Sequence, residues 1–255
     1  MKLNMDDLSE SKLTSSHAIE NMFIFLIAIS LLSFSLVSFV GGGWLIDRVV
    51  GASSIAIAVT TFAYTFSLYG IKSKEGWVWL ILSISLLLVL AGNISDALGY
   101  SLAYFILRFI SIPAMIGGLM LKLKIAGLEI ERNEQTIVGI AFLGWTLLTV
   151  VSAVLPALEG GFNWETDMYA IFAFAELFAV LMAMLVILTI RGRGWYYIAS
   201  GLTLIAMGDI FHPLAQANDL IYPGSPVRLL WYVGLLVGAF GAYHQRKQHL
   251  KMMAL

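Results

Sequence analysis

Long apolar blocks dominate this chain and decide what it can fold into. We predict membrane spans at about 21–41, 49–71, 77–96, 102–122, 136–157, 168–190, 195–214 and 226–244. Blocks of about twenty apolar residues are long enough to cross the hydrocarbon core of a bilayer as helices. Charged residues make up only 12% of the chain, whereas soluble domains carry about a quarter. The sequence therefore predicts an all-α integral membrane protein with eight transmembrane helices.

The basic residues near the ends of the spans and between them predict the orientation of the chain in the membrane. With eight spans, one side holds Lys2, Lys12, Lys72, Lys74, Lys122, Lys124, Arg132, Arg191, Arg193, Arg246, Lys247 and Lys251. The other side holds only Arg48, Arg108 and Arg228. Cytoplasmic segments carry an excess of Lys and Arg. We therefore predict a multi-pass protein of the cell membrane, with cytoplasmic tails at 1–20 and 245–255.

Two halves of the chain, 21–125 and 136–244, show the same order of features. Each has a Gly-rich turn, then a Gly-Trp pair, then a Gly-Asn or Gly-Asp stretch, and then an arginine. Four spans return the chain to the side on which it started, so the halves would share one orientation. The sequence therefore predicts two parallel four-helix repeats.

Strongly polar side chains inside the predicted spans indicate where a site would lie. They are Asn93, Asp96, Arg108, Asp209, His212 and Arg228. Such groups are costly in a bilayer and usually face a protein interior or a cavity. Each arginine follows its Gly-Asx stretch across one short turn. We therefore expect two hairpins, which bring Asp96 near Arg108 and Asp209 near Arg228.

Two interpretations of these residues stay open. They could be structural ion pairs that hold each hairpin together, or they could line an outward-facing polar cavity that binds a small polar or anionic ligand. Glu176 stands apart near the middle of the sixth span. A carboxylate at that depth is expected to be protonated or paired. It could couple proton movement, or it could donate a hydrogen bond to a neighbouring helix.

The composition argues against several other chemistries. The chain has no cysteine, which excludes disulfides and thiolate chemistry. A catalytic zinc needs three protein ligands, and His212 with Asp209 falls short unless Asp96 or Glu176 joins them. The net charge of −1 gives no reason to expect nucleic-acid binding. We predict no metal, no cofactor and no catalytic residue.

The last part of the chain, mainly 208–244, resembles the multi-span membrane sensor regions of archaeal and bacterial signalling proteins. The resemblance lies in Gly208-Asp209-Ile210, the turn at 220–226 and the Leu-Trp-Tyr-Val-Gly stretch at 230–234. Those regions usually have an aspartate where Arg228 stands here, and they usually precede an output domain. The resemblance implies a sensor that signals through a partner chain, because this sequence ends at Leu255.

Three functions follow, in order of preference. The first is a non-enzymatic, sensor-like or ligand-binding membrane protein with an outward-facing polar site. The second is a proton-coupled transporter of a small solute that uses Glu176. The third is a membrane-embedded enzyme that modifies lipids, which no nucleophile–base arrangement in the sequence supports.

Overall fold

A computed structural model describes residues 21–26, 28–29, 31–32, 43–127, 131–159, 164–190 and 192–253. These residues form helices and short turns, without any strand. Seven of the helices are long and apolar enough to cross a membrane. The protein is therefore a multi-pass, all-helical membrane protein.

The helices are numbered in chain order. The described part of α1 covers 21–26, 28–29 and 31–32. It is followed by α2 (Trp44–Tyr69), α3 (Lys74–Ala97), α4 (Ser101–Ala126), α5 (Arg132–Glu159), α6 (Trp164–Thr189), α7 (Arg193–Ala217) and α8 (Pro226–Met253). Within α5, the segment Val150–Val154 is a π-helix. Such a turn widens a helix locally.

Seven of the eight predicted spans match these long helices. The first predicted span is described only in part, and the predicted tail at 1–20 lies outside the described residues. The span predicted at 195–214 continues through Pro213 to Ala217 as α7. Proline removes one backbone hydrogen bond and can be kept inside a membrane helix when its neighbours satisfy the freed group. The predicted C-terminal tail continues α8 as helix through residue 253.

Six helices form a closed ring in the order α2, α3, α4, α6, α7 and α8, with α8 packing back on α2. Helix α5 lies outside this ring and packs on α6 and α7. We define the upper end of the bundle as the end where α2, α4, α6 and α8 begin. The sequence predicts that this end faces outside. The interior of the ring is where polar side chains of different helices can meet.

The closest helix pair is α7 and α8, and glycines make the approach possible. A side chain at Gly201 would lie 2.5 Å from the carbonyl oxygen of Gly234. Gly208 likewise contacts the indole of Trp231 so closely that it leaves no room for a Cβ. Small residues allow this type of packing between membrane helices. The crossing positions Asp209, the residue after Gly208, beside the upper part of α8.

Candidate functional site

A buried ion-pair cluster lies in the middle of the ring. The Nη2 atom of Arg108 on α4 donates to Glu176 Oε1 on α6 at 2.8 Å and also to Asp209 Oδ2 on α7. Arg108 is 9% exposed, and both carboxylates are 1% exposed. Helix α4 is therefore joined to both α6 and α7 through one guanidinium.

Depth explains why these residues meet. Arg108 lies seven residues after α4 begins at Ser101, and Asp209 lies eight residues before α7 ends at Ala217. At about 1.5 Å of rise per residue, both lie about 10–12 Å below the upper end. Glu176 lies twelve residues after α6 begins, which places it about 6–8 Å, or between one and two turns, below that level. Long Arg and Glu side chains can bridge the remaining difference.

A cavity of about 70 Å³ adjoins the cluster. Its walls come from all six ring helices, and its polar wall residues are Ser85, Asn93, Tyr104, Arg108, Ser111, Glu176, Asp209, Trp231 and Tyr232. The remaining wall is aliphatic. A water molecule needs about 10–15 Å³ measured in this way. The cavity is therefore large enough for several waters or for a small ligand.

The charges of the cluster do not balance when both acids are ionised. Two carboxylates face one guanidinium, and among the described residues the cavity wall contains no lysine and no second arginine. The Oε2 atom of Glu176 is buried and has no hydrogen-bond partner in the described part of the chain. A buried acceptor without a partner is costly. The cluster therefore has spare capacity to accept hydrogen bonds and positive charge.

Aromatic side chains surround the upper side of the cluster. His212 is 5% exposed and lies between the rings of Tyr169, at a centroid distance of 3.9 Å, and Trp231, at 5.3 Å. It is not part of the cavity wall. Aromatic pairs at these distances contribute packing energy. The geometry thus supports a packing role for His212, one turn above Asp209.

A second buried ion pair lies at the upper end, between α2 and α8. Arg228 Nη1 donates to Asp47 Oδ2, and the hydroxyl of Tyr232 donates to Asp47 Oδ1 at 3.0 Å. The backbone N–H of Gly224 also donates to this carboxylate, at 3.4 Å. The guanidinium lies 4.6 Å from the ring centroid of Trp44, within the range of a cation–π interaction. This pair is matched one acid to one base.

A third ion pair lies near the lower end. Lys122 of α4 donates to Glu75 at the start of α3, and its ammonium lies 5.1 Å from the ring centroid of Trp195 on α7. Neither Lys122 nor Glu75 contacts the cavity. The pair therefore connects helices without taking part in the candidate site.

The expected hairpin pairs were wrong. Arg108 pairs with Asp209 and Glu176 rather than with Asp96, and Arg228 pairs with Asp47 rather than with Asp209. Residues of a tight hairpin share a depth only when they are equally far from the turn. Arg228 lies two residues after α8 begins at Pro226, whereas Asp209 lies eight residues before α7 ends at Ala217. Arg228 is therefore about 9 Å, or fewer than two turns, nearer the upper end than Asp209.

Asp96 and Asn93 occupy different positions from those expected. Asp96 is exposed, next to the last residue of α3 at Ala97, and it is not part of the cavity wall. It lies about 9 Å nearer the upper end than Arg108. Asn93 does contribute to the wall, and its amide donates to the carbonyl of Val89 at 2.9 Å. Of the first Gly-Asx stretch, only Asn93 reaches the candidate site.

Sequence reasoning missed Asp47 and the aromatic wall of the cavity. Asp47 lies three residues after α2 begins at Trp44, which is the same depth as Arg228 from the start of α8. Counting residues from the upper ends of the helices would have matched these two charges. It would also have matched Arg108 with Asp209. The sequence therefore contains the information that matches these charges, but its use requires accurate positions for the helix ends.

The side chains on the cavity wall define the chemistry that is available at this site. The described residues contain no group of three or more His, Cys, Asp or Glu side chains placed to hold a metal ion. The two carboxylates near the cavity are both engaged by Arg108. What the cavity offers chemically is acidic oxygen, aromatic rings and an aliphatic wall.

Comparison with known proteins gives no further guide to this site. No protein-family model matches the chain, and no curated protein or solved structure is significantly similar to it.

Proposed function

We propose that this multi-pass membrane protein is a sensor-like binding protein that holds a small ligand in the cavity beside Arg108, Glu176 and Asp209. The observation that carries the proposal is the buried Glu176 carboxylate. It contributes to the cavity wall, and its Oε2 atom has no partner among the described residues. Buried polar groups are normally satisfied, and a ligand that donates to Oε2 would satisfy this one.

The groups on the cavity wall support binding rather than catalysis as the proposed role. The hydroxyl groups on its wall are those of Ser85, Ser111, Tyr104 and Tyr232. Ser85 donates to the carbonyl of Ser111 at 2.8 Å, and Ser111 donates to the carbonyl of Arg108 at 2.7 Å. Neither serine donates to a general base, as an activated nucleophile would. A ligand would instead join α4, α6 and α7 through the cluster.

A thermal-stability screen of the detergent-purified chain tests this function. A ligand that binds only the folded state stabilises that state by mass action. We expect at least one class of small metabolites to raise the unfolding temperature of the parent but not of Glu176→Gln. The matched control is Glu75→Gln, which also removes an acid from an ion pair, one that is partly buried and lies away from the cavity.

Two results would contradict the proposal. If no small molecule stabilises the parent, the cluster has no ligand and serves to hold helices together. If ligands stabilise the parent and Glu176→Gln equally, they bind elsewhere.

The second candidate is a proton-coupled transporter, and the charge imbalance of the cluster favours it. A single proton on Glu176 or Asp209 would balance two carboxylates against one guanidinium. Ionisable groups of this kind inside membrane proteins often lie on proton pathways. Solute uptake into proteoliposomes that depends on a pH gradient and is lost in Glu176→Gln would favour transport. Stabilisation by a ligand without any uptake would favour the binding protein.

A further inference from the structure

We propose that the ligand of the cavity carries a small organic ammonium group, with a short alkyl chain attached. This inference rests on the proposed function and assigns a chemical class to its ligand. It replaces the expectation of a small polar or anionic ligand with that of a cation, since Arg108 already pairs with two carboxylates.

The first argument for a cationic ligand is the charge balance of the cluster. An anion entering the cavity would compete with Glu176 and Asp209 for one guanidinium and would leave three negative groups around it. An unpaired charge is expensive in a dry interior. A monovalent cation brings the cluster to two positive and two negative groups. An ammonium with N–H groups would also donate to the unpartnered Glu176 Oε2.

The aromatic part of the wall is the second argument. Tyr104, Trp231 and Tyr232 contribute to the same cavity as the two carboxylates. Cations are attracted to aromatic ring faces, most strongly when water is excluded, and alkylammonium groups are recognised in this way. Acidic oxygens together with aromatic rings favour an organic cation over an anion or a neutral sugar.

The aliphatic part of the wall is the third argument. Its residues are Ile55, Leu86, Val89, Ile112, Met115, Leu202, Ile205 and Leu235. A second cavity of about 20 Å³ shares part of this wall, including Leu86, Met115 and Leu202, and extends towards Phe62 and Ile198. An apolar extension below a charged cluster matches a ligand with a charged head and a short hydrocarbon chain. The small volumes exclude a long acyl chain.

A metal cation fits this site less well. Hard metal ions such as Ca²⁺ take six to eight oxygen ligands, and the cavity offers two carboxylates that are both bound to Arg108. An aliphatic wall contributes no ligand to such an ion. The organic cation would contact the carboxylates, the aromatic rings and the aliphatic wall, whereas a metal ion would contact only the carboxylates.

Titration of the full detergent-purified chain with an alkylammonium series tests the inference. The probes are methyl-, ethyl-, propyl- and butylammonium chloride. Sodium chloride, butanol and sodium butyrate serve as probes that lack the organic cation. We expect affinity to rise along the series, measured by calorimetry and by the unfolding temperature. We expect sodium chloride, butanol and butyrate to have no site-specific effect.

Variants then locate the binding. Glu176→Gln is expected to weaken butylammonium binding by about tenfold or more, because one of the paired charges is lost in a buried site. Glu75→Gln should keep the affinity of the parent. If Glu176→Gln does not fold, Asp209→Asn removes the other carboxylate. The comparison of butylammonium with butanol on the parent requires no variant at all.

The possible outcomes separate this inference from the proposed function. If butanol or butyrate binds in a Glu176-dependent manner and butylammonium does not, the ammonium assignment is wrong and the binding function stands. If butylammonium binds the parent and Glu176→Gln equally, the assignment is also wrong. If neither this series nor the wider metabolite screen stabilises the parent, both proposals are wrong.

Discussion

Two arginines, near the starts of α4 and α8, form ion pairs with different numbers of carboxylates. Arg228 meets one carboxylate, that of Asp47, which also accepts hydrogen bonds from Tyr232 and Gly224. Arg108 lies deeper and meets two carboxylates, one of which keeps an unpartnered oxygen. The first cluster has one acid for one base and both of its carboxylate oxygens accept hydrogen bonds, whereas the second has two acids for one base and one carboxylate oxygen without a partner among the described residues.

The difference separates a structural ion pair from a candidate site. A matched pair joins α2 to α8 and closes the ring there. The unmatched cluster joins α4 to α6 and α7 beside a cavity, where its remaining acidity is available to a ligand or a proton. Buried polar groups are usually satisfied in a folded protein. The unpartnered carboxylate oxygen of Glu176, in a cluster beside a cavity, is therefore the better indication of function.

The largest expected effect comes from Arg108→Met. Loss of the guanidinium leaves two carboxylates buried together without a cation, and breaking a buried ion pair costs about 3–5 kcal/mol. We expect the free energy of unfolding to fall by about 4 kcal/mol or more, measured by denaturant or SDS titration in mixed micelles. Arg228→Met should cost less, because the Arg228 side chain is 20% exposed.

A rescue variant controls for the loss of the arginine side chain itself. Adding Glu176→Gln and Asp209→Asn to Arg108→Met removes the unpaired charges, so most of the lost stability should return. If the triple variant is no more stable than Arg108→Met alone, packing of the arginine and not charge explains the effect.

The next largest effect is the difference in stability between two variants, each of which removes one acid from one of the clusters. Asp47→Asn leaves Arg228 without an acidic partner and is expected to cost about 3 kcal/mol. Glu176→Gln leaves Arg108 paired with Asp209, so it should cost less than about 1 kcal/mol. Both free energies of unfolding are measured under the same conditions. An equal or larger loss in Glu176→Gln would show that the two clusters are alike and that Glu176 is a structural partner.

Glycines beside the two clusters provide a steric comparison. A Cβ at Gly208 would collide with the indole of Trp231, whereas one at Gly51 would meet the outer ring atoms of Tyr232 at 2.9 Å. Overpacking typically costs about 1–3 kcal/mol. We expect Gly208→Ala to lose about 2 kcal/mol and Gly51→Ala to lose less.

Gly117→Ala is the matched control for both glycine variants, because nothing lies within 4 Å of a Cβ at that position. It should keep or slightly increase the thermal stability, since alanine is the better helix former by about 1 kcal/mol. A loss in Gly117→Ala similar to that in Gly208→Ala would mean that close packing is not the cause.

The smallest expected effect is that of Tyr232→Phe. This change removes one hydroxyl that donates to Asp47, at 3.0 Å from Oδ1, and keeps the ring on the cavity wall. One hydrogen bond contributes about 1 kcal/mol, and somewhat more when its acceptor is charged. The unfolding temperature should therefore fall only slightly. A loss as large as that in Asp47→Asn would mean that the Tyr232 hydroxyl contributes as much to this cluster as the charge of Asp47 does.

Much of the fold was predictable because hydropathy is a local property. A run such as 77–96 is apolar enough to be recognised as a helix without knowledge of its neighbours, and the structure gives Lys74–Ala97. The polar residues within the spans were also recognisable, but Glu176 was set apart from the predicted site, whereas the structure brings it together with Arg108 and Asp209. The two-repeat organisation stays a prediction, although helix order around the ring is the same in both halves.

The ion-pair partners were not predictable in the same way, because they depend both on the depth of each side chain along its helix and on the helix face that carries it. Asp96 was the expected partner of Arg108 by closeness in sequence, yet it lies near the end of α3 and is exposed. Asp47 was not among the predicted site residues, because it precedes the predicted start of its span at 49. An error of a few residues in a helix end moves a side chain by up to a full turn, which is enough to change its partner.

The sequence by itself determined that the chain crosses a membrane repeatedly and that a few polar groups must be buried there. Both conclusions follow from the cost of transferring polar groups into hydrocarbon, which can be summed along the chain. Only the tertiary structure decided that Arg108 serves two acids and Arg228 serves one. That choice depends on the ring of six helices and on the close α7–α8 contact at Gly201 and Gly208, because contacts between helices distant in sequence exist only once the helices have packed.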